Sequence, residues 1–533
     1  MKVLGISGRY RDAAAALAVD GRVIAAVSED CFTKVPGIGY LQTGGFPSQA
    51  VDACLHAAGF EMGDVDQLTV VEHEGPGSHD ASSLHDDYKT LDVQRIDAVR
   101  ADAVQAAASA DGPRAVLVCS TQPAVMAAFV TNQNRVTSET VVPGGDRLAR
   151  AAQVLAGTLG VGGADPYGAL DRLSIGAEPE FQSELGAAIA WRDREGVSVD
   201  TDDLTERVDA IAGEHAASLA NAGSLNVRLQ QKRRALAASF TCQIAQVVRD
   251  AAERVCVRGD LDAVVFGGAM FANRRLSNEL GRLLGDRLAL AAVPEPAGRA
   301  LGAALSTPAG IGEPLAGLAL GPSFSDPDIK RTLDNCRLDY VYEPDWQRLF
   351  LRTSKLLSQG KVVAWFQGAM GFGPRAMGTR SILCDPSSRY ARHNMNEYLR
   401  QVPLDEPLPV VFAPSIAADC LMRPVSGRPA VMDAAVASEW RDRLVAALDW
   451  RHFVRVHAVS PVQAHELCEL LECHYRRTQV PALIETNLSG PGEPLACSPR
   501  DAVRTVYSSA IDVLVIGRFV LMKDHWLLRS DVG

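Results

Sequence analysis

The segment Phe366–Pro386, FQGAMGFGPRAMGTRSILCDP, carries two arginines five positions apart among four glycines. It follows the apolar run KVVAWF, which is typical of a buried β-strand. Glycine lets the main chain approach a ligand closely, and the planar fork of arginine fits a phosphate or carboxylate. The segment therefore predicts an anion-binding turn with Arg375 and Arg380 as its main donors. The simpler alternative is a surface turn with two solvated arginines.

The composition of the 533-residue chain predicts two or more domains with a substantial core, since 47% of the residues are hydrophobic and 22% are charged. The net charge of −11 argues against a general nucleic-acid or membrane-surface binder. Eleven cysteines without a CxxC pair indicate reduced thiols. No signal-peptide pattern or apolar run of transmembrane length is found. We therefore expect a cytoplasmic protein without nucleic-acid or membrane partners.

Apolar runs that alternate with helical stretches predict an α/β chain. Three short runs at the start, VLGIS, AAAALAVD and RVIAAVSED, predict strands with a hairpin turn at Asp20–Gly21. Further strands are predicted at LTVVEH, AVLVCS and DAVVFGG, and a long helix at about 230–257. The Gly- and Pro-rich residues 307–328 are interpreted as a linker. Beyond them, KVVAWF, RHFVRVHAV, PALIETN and IDVLVIGRFVLM predict strands of a second domain.

Several of these segments resemble one family. FQGAMGFGPRAMGTRSILCDPSS resembles the signature of the NodU/CmcH-type carbamoyltransferases, which include the aminoglycoside and cephalosporin O-carbamoyltransferases. GISGRYRDAAAALAVDGRVIAAVSEDCFTK resembles their amino-terminal signature. Other segments follow in family order: GGFPSQAVDACL, FGGAMFANRRLSNEL, GPSFSDPDI, FAPS and GPGEPLACSPRDAVRTV. The chain is identified as a divergent member of this family.

The resemblance implies a fold and an activity. Residues 1–325 are expected to form a TsaD-like half with an actin/hexokinase-type duplicated α/β fold, and residues 326–533 a YrdC-like α/β half. In the family, the second half converts carbamoyl phosphate and ATP to a carbamoyl-adenylate. The first half then passes the carbamoyl group to an acceptor hydroxyl with the help of a metal ion, through a bridging cavity. This implies a carbamoyltransferase of natural-product (antibiotic) biosynthesis with a small-molecule acceptor, and Mg²⁺ could accompany the ATP.

The resemblance also assigns site residues. Charge-assisted contacts from arginine would both place the anion and stabilise charge that develops during the reaction. The residues expected to bind nucleotide or carbamoyl phosphate are Gly267, Gly268, Asn273, Arg375, Arg380, Ser381, Arg455, Asn487 and Glu493. The residues expected to act in catalysis are Tyr10, Asp12, Arg375 and Arg380.

The metal ligands of the family are missing from this sequence. A family motif of the form HHLAHAASAF, at the start of a helix, corresponds to STQPAVMAAF at Ser120–Phe129, which has no histidine. Pro296 stands where a family Asp ligand is expected, although Glu295 is adjacent. We therefore expect no catalytic iron or zinc, because a hydroxyl or a methyl group does not replace imidazole as a ligand. A weaker alternative is a new metal site in the polar loop, formed by His73, His79 and His85.

Other substitutions fall at the expected acceptor and phosphate sites. Arg11 stands in the place of a family histidine, and a guanidinium stays protonated and cannot act as a base. Tyr10 and Asp12 beside it are therefore the remaining candidates to activate an acceptor. In the second half, three family positions have changed to Ala369, Gly371 and Glu485.

Three hypotheses follow. The first is a carbamoyltransferase with a metal-free transfer site, whose acceptor is an alcohol or a more nucleophilic amine. The second is an ATP-dependent acyl- or amide-forming enzyme on the same scaffold, since a fold does not fix a function. The third is an inactive binding or regulatory subunit of a paralogue. The sequence leaves open a monomer, a homodimer and a heterodimer with such a paralogue.

Overall fold

The structure is a computed structural model, and a defined part of the chain is described. The described residues are 1–72, 92–110, 112, 114–121, 123–132, 135–163, 165–192, 195–212, 227–307, 310–422, 431–459 and 461–523. The proposed histidine cluster of His73, His79 and His85 lies outside these residues.

The amino-terminal part of the chain alternates strands and helices, as predicted. Its described strands are β1 Lys2–Ser7, β2 Ala14–Val19, β3 Arg22–Ser28, β4 Gln67–Glu72, β5 Asp92–Asp97, β6 Ala115–Thr121, β7 Ala124–Asn132, β8 Arg135–Val141, β9 Ile189–Arg192, β10 Gly196–Val199, β11 Val264–Gly267, β12 Leu288–Leu290, β13 Ser306–Thr307 and β14 Gly310–Ile311. Its described α-helices are α1 Asp30–Thr33, α2 Ser48–Ala58, α3 Ala98–Ala108, α4 Arg147–Thr158, α5 Pro166–Leu173, α6 Gln182–Gly186, α7 Thr201–Ala212, α8 Val227–Gly259, α9 Arg274–Leu284 and α10 Arg299–Leu305. Short 3₁₀ turns lie at Tyr40–Thr43, Met62–Asp64, Ala269–Ala272, Gly285–Arg287 and Pro296–Gly298.

Two five-stranded sheets in this described part repeat one topology. The first has the order β3-β2-β1-β4-β5, with β1 to β3 antiparallel and β4 and β5 parallel to β1. The second has the order β8-β7-β6-β11-β12, again with three antiparallel strands followed by two parallel ones. The duplicated actin/hexokinase-type α/β fold expected for the first half is therefore confirmed. The hairpin at Asp20–Gly21 is confirmed as well, with φ of 50° and 80° at its two residues.

The helices α3 and α10 fill the space between the two sheets. Their alanines share one buried core with residues of β2, β6 and β7. The approach is close: a Cβ on Gly302 would lie 2.0 Å from the carbonyl oxygen of Ala101, and one on Gly5 would lie 2.4 Å from that of Ala300. The small-residue run GRALGAALS thus forms the helix predicted for it, and its glycine permits contact between main chains. Of the helices in the described part, none has the length and apolarity needed to cross a membrane.

The carboxy-terminal part is built on one large mixed sheet. In the described residues this sheet has nine strands in the order β15-β23-β22-β16-β17-β21-β18-β20-β19. The strands are β15 Val341–Tyr342, β16 Val363–Phe366, β17 Arg380–Cys384, β18 Pro409–Phe412, β19 Val431–Ala435, β20 Phe453–His457, β21 Ala482–Asn487, β22 Val513–Ile516 and β23 Phe519–Met522. The helices are α11 Asp326–Asn335, α12 Trp346–Ser358, α13 Tyr390–His393, α14 Ala417–Cys420, α15 His465–Thr478 and α16 Pro499–Tyr507, with a π-helical segment at Asn394–Arg400 and a 3₁₀ turn at Ser438–Arg443. Leucines of α12 and α15 cover one face of the sheet, and apolar residues of α11 and α16 cover the other. The predicted α/β class is confirmed, and the likeness to YrdC stays a prediction.

The residues interpreted as a linker pair with the glycine-arginine loop instead of standing free. The amide of Phe372 donates to the carbonyl of Leu318 at 2.7 Å, and that of Gly321 donates to the carbonyl of Met370 at 2.8 Å. The amide of Met370 donates in turn to the carbonyl of Pro322 at 3.0 Å. The segment 318–322 is therefore fixed between the two parts of the chain.

The contact between α3 and α10 gives a prediction about stability. Gly302→Ala should lower the free energy of unfolding by about 1–3 kcal/mol or more, because the new methyl group collides with the main chain of α3. Gly157→Ala in α4 is the matched control, because its Cβ would meet nothing within 4 Å. The control should leave stability unchanged or raise it by up to about 1 kcal/mol. Urea unfolding measures both, and equal effects of the two substitutions would contradict the proposed close contact.

Candidate functional site

A cavity of about 520 Å³ lies between the two parts of the chain. The first part contributes α5 and the start of α9, and the second contributes the glycine-arginine loop, the π-helical segment and the residues that follow it. The charged and polar residues that line the cavity include Asp171, Asn273, Arg274, Arg375, Arg400, Asp405 and Glu406. The structure thus brings the predicted residues Asn273 and Arg375 together at one cavity, although they lie about a hundred positions apart.

Arginines and carboxylates from both parts are paired at this cavity. Arg274 lies 3.2 Å from Asp171 and 3.8 Å from Glu406. Arg455, which is buried, lies 3.5 Å from Glu406 and 3.4 Å from Asp433. Burial lowers the pKa of Arg455 below its usual range, and the nearby carboxylates offset part of this effect. Glu406 therefore lies between an arginine of each part, and the predicted residue Arg455 belongs to the same network.

Arg375 projects from its loop towards the first part. Its Nη1 lies 3.7 Å from Oε1 of Glu295, and its side chain is 28% exposed. The other oxygen of Glu295 is buried without a hydrogen-bond partner. Asn487 holds the loop on both sides of Arg375: it accepts from the amide of Ala376 at 3.0 Å and donates to the carbonyl of Pro374 at 2.8 Å. Arg375 is therefore held where a ligand in the cavity can reach it, and the Asn487 side chain is used by the loop.

Arg380 is completely buried. Its guanidinium lies over the ring of Phe366, 3.6 Å from the ring centre. It donates to the main-chain carbonyls of Pro322, Gln367, Gly368 and Thr379. Burial lowers the pKa of Arg380 to about 9, so it remains charged at neutral pH. The Arg380 guanidinium therefore joins the segment 318–322 to the sheet. The phosphate contact predicted for Arg380 stays a prediction.

Ser381 belongs to a buried network that the sequence did not reveal. Its hydroxyl donates to Oε1 of Glu485 at 2.5 Å, and the amide of Gly378 donates to the same oxygen at 3.3 Å. Oε2 of Glu485 is bonded to Nδ1 of His457. His457 lies two positions after Arg455 on β20, which is a spacing that places polar side chains on one strand face. That spacing is the one signal in the sequence that could have singled out the histidine.

The two predicted glycines of the first part are required by packing. Gly268 has φ of 95°, and a Cβ there would lie 2.6 Å from the carbonyl oxygen of Cys119. A Cβ on Gly267 would lie 2.9 Å from the side chain of Ala106. The glycines therefore let β11 end close to β6 and α3. The nucleotide contact expected of Gly267 and Gly268 stays a prediction.

Asn273 and Glu493 have clear partners in the fold. The Asn273 side chain caps α9 by accepting from the amide of Leu276 at 2.8 Å, and it donates to the carbonyl of Tyr167 at 3.2 Å. Glu493 forms a two-point contact with Arg504 at 3.0 and 2.7 Å on the surface. Asn273 thus remains a candidate ligand group through its place at the cavity, whereas Glu493 lies outside the residues that line it.

The predicted acceptor residues lie in the turn between β1 and β2. Asp12 has φ of 57°, and its carboxylate accepts from Nε of Arg11 at 2.9 Å. Tyr10 is 43% exposed. Burial raises the pKa of the neighbouring Asp30, and the charge of Asp12 adds to this effect. Tyr10 and Asp12 lie outside the residues that line the cavity, so their proposed role in catalysis stays untested.

The segment that corresponds to the family's metal-binding helix forms strands in this chain. Ser120 and Thr121 end strand β6, and Ala124 begins strand β7. The residues form strands because β7 pairs along its length between β6 and β8. The alanine-rich sequence favours a helix by propensity, and sheet pairing overrides it.

A buried ion pair lies beside the end of β6. Arg299, at the start of α10, contacts both carboxylate oxygens of Asp102 on α3 at 3.2 Å. It also donates to the hydroxyl of Ser120 at 2.8 Å. Burial raises the pKa of Asp102, and Arg299 offsets part of the shift. A guanidinium therefore holds the Ser120 hydroxyl that stands in a family ligand position.

The side chains at the family's ligand positions do not fit the family's metal. The Ser120 hydroxyl accepts a hydrogen bond from the guanidinium of Arg299, and the side chains of Ala124 and Pro296 have no atom that could bind a metal. Glu295 faces Arg375 instead of joining them. Within the part of the chain that the structure describes, no cluster of three or more His, Cys, Asp or Glu side chains could hold a metal ion.

Comparison with known proteins shows a partial similarity to one family. Residues 354–523 match the family described as Carbamoyltransferase C-terminus. An uncharacterized protein of Synechocystis is 29% identical over 230 residues, which cover 39% of this chain and 37% of the relative. The nodulation protein NolO of Bradyrhizobium diazoefficiens is 28% identical over 251 residues, which cover 43% of each chain. Among solved structures, HypF of T. kodakarensis matches with a TM-score of 0.37 and 12% identity, covering 57% of this chain and 46% of that one.

Residues 354–523 are thus similar to the carboxy-terminal part of carbamoyltransferases, in agreement with the resemblance stated from the sequence. The matched stretches span about two fifths of the length of these curated relatives.

The ion pair between Arg299 and Asp102 gives a prediction about stability. Arg299→Met should lower the free energy of unfolding by about 3–5 kcal/mol, because it leaves the Asp102 carboxylate buried without a counter-charge. Part of this loss should be recovered as the pH falls, because a proton then neutralises Asp102. The double variant Asp102→Asn/Arg299→Met should be more stable than Arg299→Met at neutral pH. Chemical unfolding across a pH series measures this, and a pH-independent loss below about 1 kcal/mol would contradict the ion pair.

The side chains at the family's ligand positions also predict the metal content of the purified protein. Protein purified from iron- and zinc-containing medium should hold neither metal in stoichiometric amount by elemental analysis. Treatment with a chelator should leave the unfolding midpoint unchanged, since a structural metal would contribute to folding. One tightly bound ion per chain would overturn the metal-free interpretation.

Proposed function

We propose that the protein is a carbamoyltransferase that uses ATP and carbamoyl phosphate and acts on a small-molecule acceptor at a metal-free transfer site. The observation that carries this proposal is the family match of residues 354–523, whose glycine-arginine loop places Arg375 in a cavity shared with the first part of the chain. The acceptor is proposed to be a natural product, as the family resemblance implies.

The cavity has the charges that such substrates need. ATP and carbamoyl phosphate are polyanions, and Arg274, Arg375 and Arg400 are among the residues that line the cavity. Guanidinium groups bind phosphate oxygens in two-point fashion and stabilise charge that builds up on them during transfer. We infer that the second part hydrolyses carbamoyl phosphate to carbamate and inorganic phosphate. The carbamate oxygen then attacks the α-phosphate of ATP, which forms carbamoyl-adenylate and releases pyrophosphate. Because the cavity also borders the first part, the adenylate need not enter bulk water before transfer.

Transfer would proceed with the residues of this chain alone. Attack of the acceptor on the carbamoyl carbon forms the new C–O or C–N bond and expels AMP. An alcohol must lose its proton to a base, for which the first part offers the carboxylate of Asp12. A neutral amine attacks without prior deprotonation, so an amine acceptor would make the smaller demand on this site.

A changed transfer step is the second candidate function. The Arg299–Asp102 pair favours it, because the ligand position at Ser120 is taken up by a guanidinium. Adenylate formation would then be retained, while the activated acyl group or the acceptor differs from those of the family.

One assay tests the adenylate-forming step. The purified protein should release pyrophosphate from ATP only when carbamoyl phosphate is present, with no acceptor added. Arg375→Ala should lower this release by about 10²–10³-fold, the usual effect of removing a donor aimed at developing charge. Arg331→Ala, an exposed arginine on α11 of the same part, is the matched control and should behave as the wild type.

The outcomes separate the hypotheses. Pyrophosphate release that does not depend on carbamoyl phosphate would point to another acyl substrate. Absence of both release and ATP binding by calorimetry would contradict the enzyme proposal and favour a non-catalytic subunit. Normal turnover by Arg375→Ala would contradict the role given to the loop.

A further inference from the structure

Side chains of strand β21 hold the loop that carries Arg375. Asn487 bonds to the main chain on both sides of the arginine, at Pro374 and Ala376. Two positions earlier on the same strand face, Glu485 accepts from the amide of Gly378 at 3.3 Å. Two side chains of one strand therefore fix the loop from Pro374 to Gly378.

Glu485 is an unusual group for such a role, because it is completely buried. A carboxylate in such a place is costly unless it is paired and hydrogen-bonded. The ionisable side chain that faces it is His457 on β20, whose Nδ1 bonds to Oε2, and the hydroxyl of Ser381 on β17 donates to Oε1 at 2.5 Å. Burial alone would raise the pKa of Glu485, but the charge and hydrogen bond of His457, with those from Ser381 and Gly378, hold it below its usual value. Three strands and the loop thus converge on one ionised carboxylate.

We propose that Glu485 and His457 are positioning residues for Arg375. The carboxylate of Glu485 fixes the end of the loop, and His457 supplies the counter-charge that keeps this carboxylate in place. The loop needs such support because Arg375 itself makes only a long contact of 3.7 Å to Glu295. Neither residue touches the cavity in this scheme: both act on the bound anion through the loop and Arg375.

Amide hydrogen exchange in the loop tests the proposal without any substrate. Glu485→Gln keeps the shape of the side chain and removes its charge, and His457→Gln replaces the imidazole with a neutral group that can still donate a hydrogen bond. Each should speed exchange at Ala376 and Gly378 by about tenfold or more, because charge-assisted hydrogen bonds are about twice as strong as neutral ones. The amides of β22 serve as an internal reference for global unfolding.

His474→Gln is the matched control. His474 is also a buried histidine of this part, with Nε2 3.3 Å from Asp385 and Nδ1 3.1 Å from Ser354, but it lies on α15 and does not contact the loop. It should leave exchange at Ala376 and Gly378 unchanged relative to β22. Equal acceleration in this control would show general loosening of the domain and would overturn the proposal.

The pH dependence gives a second readout. In the wild type, loop protection should persist as the pH falls through the ordinary range of a glutamate. In His457→Gln, Glu485 loses its counter-charge and takes up a proton at higher pH, so protection should be lost earlier on acidification. Identical pH profiles of the two proteins would contradict a role for the histidine charge.

The consequence for turnover rests on the proposed function. Both charge-removing variants should lower kcat/KM for carbamoyl phosphate by about tenfold, and the His474→Gln control should not. If the wild type releases no pyrophosphate while the loop amides respond as expected, the positioning inference stands and the carbamoyltransferase proposal falls. If the wild type turns over but the loop amides of both variants exchange as in the wild type, the positioning inference falls and the function stands.

Discussion

The position of the candidate site depends on how the glycine-arginine loop is inserted into the first part of the chain. Met370 and Ala376 are buried in the core of the first sheet, with Leu4 and Ile6. Phe372 is buried in the core between the two five-stranded sheets. Burial of each large apolar side chain contributes about 1.5–3 kcal/mol, so the loop belongs energetically to both parts. Arg375 lies within this anchored segment: apolar packing brings the loop to the junction, and the hydrogen bonds from β21 fix the end of the loop.

The electrostatics of the cavity follow from the same junction. Arg274 comes from the first part and Arg455 from the second, and both pair with Glu406. Guanidinium groups held at a buried interface require counter-charges, and here protein carboxylates supply them. An incoming phosphate would compete with Glu406 for the same arginines, so the resting network is already arranged for an anion. Such prior arrangement lowers the reorganisation that binding would otherwise require.

The sequence predicted about half of the described strands and the hairpin at Asp20–Gly21, because apolar runs and turn residues act locally. The family resemblance correctly indicated the duplicated fold, which no local pattern contains. The family motif begins a helix where this chain has Ser120–Phe129, but these residues form strands here, because strand pairing is a non-local effect that outweighs the helix propensity of alanine. The resemblance assigned Arg380 to a phosphate, yet its side chain is surrounded by carbonyls from two segments. Sequence also could not pair His457 with Glu485, which lie 28 positions apart on strands separated by β18.

The ion pair between Asp102 and Arg299 limits the chemistry of the first part. The family places metal ligands where this chain has a serine hydroxyl bonded to a guanidinium, and a buried guanidinium neutralised by a carboxylate offers little net charge to a substrate. Under the proposed function, the arginines of the cavity would then stabilise the transferring carbamoyl group, and the acceptor would bind towards the junction of the two parts. In the first part a neutralised ion pair thus stands at a family ligand position, while the arginines that line the cavity lie at the junction of the two parts.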